Sequence, residues 1–150
     1  MPTSCPKYLL LLLLFLPVGM LAQKKDTLKL ACLLNDAIEL TEKQAVDLGT
    51  KELKIVLASS TDTLVKSCAD VVISNIERDA DDGTWEILFK QKNYWFWLSG
   101  LNKVVVRKDQ KIKTGEVLGH LEIGKKIEML LYDFETPIDP HKYMNCWKSN

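Results

Sequence analysis

Histidine is scarce in this chain: its 150 residues hold two, His120 and His141. A hydrolytic zinc centre takes three protein ligands and keeps one position open for water. An all-histidine version of such a site is therefore excluded. An excess of one charge is lacking too, with 20 basic against 20 acidic residues. A near-neutral chain has no overall field to attract nucleic acid or an anionic membrane. Neither basic clustering nor a recognition helix supplies one locally. Cys-x-x-Cys is absent, which argues against a zinc knuckle or a thioredoxin-type motif. No internal repeat is visible, and the one long apolar run lies at the N-terminus.

That run, Tyr8 to Leu16, follows Lys7 and is followed by Pro17, Gly19 and Ala22. A basic start, a short apolar stretch and a small-residue exit read as a secretory signal. The run is short for a bilayer span. Cleavage is expected after Ala22, with an uncleaved anchor as the alternative. Cys32 is not a lipid-attachment cysteine, because Lys24, Lys25, Asp26 and Lys29 separate it from the apolar run. Losing Lys7 with residues 1–22 leaves 19 basic against 20 acidic residues, a net charge of −1. No membrane segment is expected in what remains.

Cys5 leaves with the signal, so Cys32, Cys68 and Cys146 remain. Export permits disulfides, and an odd number leaves one thiol free or paired elsewhere. The sequence does not choose the pair.

The exported chain is long enough for one domain with its own core. Residues 23–50 form an irregular leader, 51–146 a β domain and 147–150 a tail. Thr27 to Leu34 reads as a strand or as a leader lying against the domain. Leu40 to Leu48 reads as a short helix or a loop. Beyond Lys51 the pattern is strands and turns: Leu53 to Ala58, Thr63 to Val65, Val71 to Glu77, Trp85 to Phe89, Tyr94 to Leu98, Val104 to Val106, Lys111 to Lys113, Val117 to Leu121 and Lys126 to Tyr132. Asp79-Ala80-Asp81-Asp82-Gly83 and Lys92-Asn93 are turn signals that make hairpins. Short strands at this spacing predict an all-β sandwich or barrel of antiparallel strands.

Thr63 to Val72, Trp85 to Phe89, Lys108-Asp109-Gln110, Lys113-Thr114-Gly115, Val117-Leu118-Gly119 and Pro137-Ile138-Asp139-Pro140 with Tyr143 fall in one order. Together they resemble the LytM/lysostaphin-type zinc peptidase domain (peptidase M-23 family), over roughly Leu53 to Met144. The resemblance implies that family's all-β fold, whose strand wrapping is related to lipoyl and biotinyl carrier domains. A carrier function fits poorly, since no lysine sits on a hairpin beside Met or Ala and the export signal is out of place.

The resemblance also implies where zinc ligands should stand. The family uses a His, an Asp four residues later and a His from a His-x-His strand, with a further His aiding water activation. Those positions fall on Glu52, Val56, Trp97, Lys126 and Glu128. Valine cannot ligate a metal, and neither histidine of the chain falls on the pattern. The zinc site is expected to be lost, leaving no cofactor and no catalytic residue. A rearranged site using Glu128 with His120 is the enzymatic alternative. Glu128 beside Lys126 also reads as a salt-bridged surface strand.

Tyr94-Trp95-Phe96-Trp97 alternates, so Trp95 and Trp97 share one side of a strand and Tyr94 and Phe96 the other. Tyr94, Trp95, Trp97 and Glu128 are candidate groove contacts, since aromatic faces suit sugars or peptides. Core packing, with Trp97 plugging the old metal position, is the plainer reading. Asp79, Asp81 and Asp82 lack the spacing of a calcium loop. Asp133 and Glu135 as a glycosidase pair have no geometric support in the sequence. The expectation is a secreted or periplasmic, non-catalytic LytM-like domain. It would bind or regulate cell-wall hydrolases, another envelope protein or peptidoglycan. An active zinc endopeptidase and a tryptophan-based glycan or peptide binder stand as alternatives.

Overall fold

The computed structural model describes residues 28–40 and 53–148. The expected signal, most of the helix-or-loop stretch at 40–48, and Glu52 lie outside the described residues. The strands are β1 (Ala37–Glu39), β2 (Lys54–Ala58), β3 (Leu64–Lys66), β4 (Val71–Arg78), β5 (Trp85–Gln91), β6 (Tyr94–Leu101), β7 (Lys103–Val104), β8 (Lys111–Ile112), β9 (Val117–His120), β10 (Lys126–Asp133), β11 (Thr136–Ile138) and β12 (Trp147–Lys148). A single 3-10 turn, Pro140–Lys142, is capped by the Asp139 side chain. The chain is all-β, as the strand pattern predicts.

A large sheet runs in the order β12-β1-β2-β10-β6-β5-β4-β8, with β11 also on β10, and a small one in the order β3-β9-β7. All pairings in them are antiparallel except β1 with β12. Strand alternation sorts the large sheet's side chains into two faces. Ile127, Met129 and Leu131 of β10 point inward, opposite Leu57 and Ile55 of β2 and Leu98 and Phe96 of β6. Phe89 of β5 faces Phe96 across the ladder, and the two rings stack with centroids 5.0 Å apart. Val65 of β3 and Leu118 of β9 bring the small sheet into the same core.

Two irregularities shape the outer face. Between Trp85 and Ile87 the β5–β6 register shifts, and Gly100 takes φ +88 there. A Cβ on Gly100 would stand 2.4 Å from the Lys126 carbonyl oxygen. Only glycine allows that backbone contact and that φ together. The bulge extends β6 through Leu101, beyond the expected end at Leu98. A second shift, between Ile73 and Asn75 of β4, turns Asn75 outward opposite Leu88 and leaves the Ser74 hydroxyl buried without a partner among the described residues.

The leader stretch is packed rather than draped. Leu28, Leu30, Leu33, Leu34 and Ala37 belong to the core cluster. The Leu30 N–H donates to the Tyr143 carbonyl, and the Ala31 N–H to the Cys68 carbonyl. Thr27 to Leu34, read as strand or leader, has no strand in its described part. Trp147 and Lys148, expected in a tail, pair with β1 instead. Cys32 and Cys146 form a disulfide across 114 residues of sequence, while Cys68 is buried and free. Burial lifts the Cys68 thiol to about 12, so it is inert as a nucleophile at neutral pH.

Replacing Cys32 and Cys146 together by serine should cost about 2–5 kcal/mol, because the bridge closes a long loop in the unfolded chain. Urea denaturation of the oxidised parent and the double variant measures this directly. A midpoint unchanged between them would show that the bridge adds nothing.

Candidate functional site

The same alternation that buries one face of the large sheet builds a functional candidate on the other. Lys54 and Val56 of β2, Lys126, Glu128 and Leu130 of β10, Trp97 and Ser99 of β6, Glu86 and Leu88 of β5, and Asn75 and Glu77 of β4 share this outer face. The register supports it: Glu128 lies opposite Val56 on one side and Ser99 on the other, and Leu130 lies opposite Trp97, itself opposite Leu88. Four of the five positions where zinc chemistry is expected therefore stand on one surface, and Glu52 lies outside the described residues.

Their chemistry does not suit zinc. Val56 offers no donor atom and is 4% exposed without belonging to the core cluster. The indole N–H of Trp97 can only donate. It donates to Glu86 Oε2 at 3.0 Å. Glu128 is held by two ammonium groups, Lys54 Nζ at 2.8 Å and Lys126 Nζ at 2.9 Å. Burial pushes its carboxyl up, and hydrogen bonds and charge from those two lysines outweigh this and hold it below the ordinary value. Among the described residues no group of three or more His, Cys, Asp or Glu stands ready to hold a metal ion. Of the rearranged pair, His120 lies in the small sheet, opposite Leu64 and Lys103, and Glu128 in the large one.

Two adjoining hollows open on this face and share Glu86. One, of about 220 Å³, is lined by Asn75, Glu77, Glu86, Leu88 and Trp97. The other, of about 500 Å³, reaches from Glu86, Ser99 and Glu128 to Asp79, Asp82, Glu122 and Lys125. Trp97 is 42% exposed, so it borders the groove rather than plugging it. Trp95 has the Lys90 ammonium 5.3 Å from its ring centroid. Tyr94 is half-buried against the core.

Asp79 and Asp82 accept from the backbone N–H groups of Asp81 and Thr84, which makes the acidic loop a self-bonded hairpin turn. Asp133 and Glu135 flank the β10–β11 turn and line neither hollow. Lys54, Glu77 and Glu86 were missed by reading the sequence. Lys54 was legible in principle, two residues before Val56 and so on its face. Glu77 and Glu86 are placed opposite each other by the register of the Asp79–Gly83 hairpin, and neither lies on the family pattern.

A separate cluster ties the chain's ends. His141 Nε2 meets Glu39 Oε1 at 2.5 Å, and its Nδ1 meets Asp139 Oδ1 at 2.6 Å. Burial lowers the imidazole's proton affinity, but the two carboxylates outweigh this and raise it above the ordinary value.

No family model matches the chain, and no curated protein sequence matches it. Solved structures do. Helicobacter pylori Csd3 superposes with a TM-score of 0.66 at 14% identity, covering 79% of this chain and 33% of that one. The catalytic domain of the prophage-encoded M23 protein EnpA from Enterococcus faecalis, as a point variant, gives 0.58 at 14% identity over 73% and 92%. A chain of the SpoIIIAH and SpoIIQ complex gives 0.65 at 14% identity over 77% and 100%. The chain thus has the all-β fold of LytM-type domains. It spans only a third of Csd3's length.

Glu128 is about three-quarters buried with both lysines near it, so its pairs should exceed the weakest surface ion pairs. Glu128→Ala should destabilise by about 1–2 kcal/mol. Lys54→Met combined with it should cost less than the sum of the singles, a coupling that a double-mutant cycle reads. Because the folded carboxyl titrates below the unfolded value near 4.5, this contribution is present above that pH and is lost as pH falls below it.

His141 has the opposite sign. Its folded value lies above 6.5, so its contribution is complete below pH 6.5 and is lost as pH rises through the folded value. Thermal melts from pH 5 to 9 should show this loss in the parent, and a His141→Gln variant should not. An identical pH profile in both would remove His141 from the account.

Proposed function

We propose that this is a non-catalytic LytM-like domain of the cell envelope, binding a partner through the outer face of its large sheet. The observation that carries the reading is the ion-paired Lys54–Glu128–Lys126 row beside Val56. Ammonium groups occupy the surroundings of the carboxylate where a metal would need unprotonated donors. No hydrolytic step through zinc follows from these residues. The partner is an envelope protein or peptidoglycan.

Export through residues 1–22 to a secreted or periplasmic location is part of the same proposal. The Cys32–Cys146 bridge supports an oxidising compartment. No helix among the described residues is long and apolar enough to cross a membrane. Chains of this fold also occur in a structure described as the SpoIIQ–SpoIIIAH pore forming complex, which makes a protein partner a natural use of the scaffold. The exposure of Trp97 favours a second, compatible reading, in which the groove takes a glycan or peptide strand.

Metal analysis and digestion of purified peptidoglycan test the proposal together. The exported chain should bind envelope components in a sedimentation assay, carry no stoichiometric zinc and release no soluble fragments. Stoichiometric zinc accompanied by cleavage would sink it.

A further inference from the structure

Glu77 and Glu86 are direct cross-strand partners on β4 and β5. Like charges placed opposite one another destabilise a sheet. Here the outer face keeps the pair without relief: among the described residues no lysine, arginine or histidine lies in ion-pair distance of either. The Glu77 carboxylate accepts from Asn75 Nδ2, and the Glu86 carboxylate accepts from the Trp97 indole. Both bonds use neutral donors and leave both charges standing.

The pair stands at the wall of the smaller hollow, whose other lining is apolar or neutral: Leu88, the Trp97 ring and Asn75. Trp97 is 42% exposed in the middle of a sheet, a costly position for so large an apolar surface unless something covers it. Glu86 also lines the larger hollow, where Asp79, Asp82 and Glu122 add acidic groups and Lys125 and Lys126 oppose them. The proximity of Glu77, Asp79 and Asp82 adds to burial in raising the Glu86 carboxyl above its ordinary value.

Resting on the groove-binding reading above, we infer that the partner presents a basic peptide segment. It would lay a lysine or arginine side chain between Glu77 and Glu86 against the face of Trp97. Three features select this occupant. A cation relieves the facing carboxylates. An indole face attracts an ammonium or guanidinium. The two neighbouring hollows share Glu86 and offer room for an extended chain rather than a lone amine. A neutral glycan would cover Trp97 and leave the repulsion in place.

Calorimetric titration of the exported chain with a mixed lysine–alanine peptide tests this, with the glutamate–alanine counterpart as control. The lysine peptide should bind and weaken with added salt. Neutralising the pair (Glu77→Gln with Glu86→Gln) should reduce affinity by about tenfold or more, and Glu135→Gln, outside the groove, should leave it unchanged. In the absence of peptide, Glu77→Gln alone should raise the melting temperature, since it removes a repulsion. No binding, equal binding of the glutamate peptide, an unaffected double variant or a lowered melting temperature would each overturn the inference. Binding of peptidoglycan or an envelope protein that ignores both substitutions would overturn this inference alone. Stoichiometric zinc with cleavage would instead remove the reading beneath it.

Discussion

Strand β10 is hydrogen-bonded on both sides, to β2 and to β6, and its alternation organises the rest of the molecule. With both edges occupied, a one-residue slip would send Ile127, Met129 and Leu131 outward and Lys126 and Glu128 into the core. Burying those charges without partners costs far more than any local contact returns. The register is therefore fixed by desolvation. Once it is fixed, Glu128 must stand between Val56 and Ser99, and Lys54 comes within reach as a diagonal neighbour. The core and the candidate groove are two sides of one constraint.

The second constraint joins the chain's ends. The leader contributes five side chains to the core, β1 pairs with β12, Cys32 is bonded to Cys146, and His141 spans Glu39 and Asp139. The β1–β12 pairing, the disulfide and the Glu39–His141 contact are short-ranged in space, yet they join residues about a hundred positions apart. Closing such contacts carries a loop-entropy cost that a covalent bond removes from the folding equilibrium. The core thus extends beyond the stretch that resembles the peptidase domain. The leader's Leu28, Leu30, Leu33 and Leu34 show no strand period because the segment packs on the core without joining a ladder for most of its described length.

Much of the fold was legible because strands with one buried face announce themselves by period and by their turns. Val71 to Glu77, Trp85 to Phe89 and Lys126 to Tyr132 fall within one or two residues of β4, β5 and β10. The turns at Gly83 and Lys92 take the positive φ that hairpins demand. Less legible were β11 and β12, which are too short to show a period; β11 pairs where β10 runs past the end of β2, and β12 pairs with β1. The disulfide was illegible in principle, since three cysteines allow three pairings and the choice is made by tertiary distance. The site divides in the same way. Val56, Trp97, Lys126 and Glu128 were reached by counting along a family pattern, and the ladder places them on one face. Glu77 and Glu86 could not be reached so, because they lie off that pattern and only the hairpin register sets them opposite each other.

Two bulges border this surface. The hairpin turns themselves set Glu77, Glu86, Asn75 and Leu88 around Trp97, and the register shifts lie just beyond those pairs; the Gly100 bulge exists only because no Cβ obstructs the Lys126 carbonyl. Bulges re-aim side chains at the cost of a ladder bond and an unpaired group, and the orphaned Ser74 hydroxyl is such a cost. A sheet under selection for stability alone would gain by losing the shift, the orphan and the facing carboxylates together. The facing carboxylates line the groove beside the exposed tryptophan and the orphan adjoins Asn75 of its lining, while the Glu128 row beside it is ion-paired. The contrast divides the outer face by chemistry: the side around Glu128 is neutralised by its own lysines, and the side around Trp97 keeps facing carboxylates and exposed apolar surface.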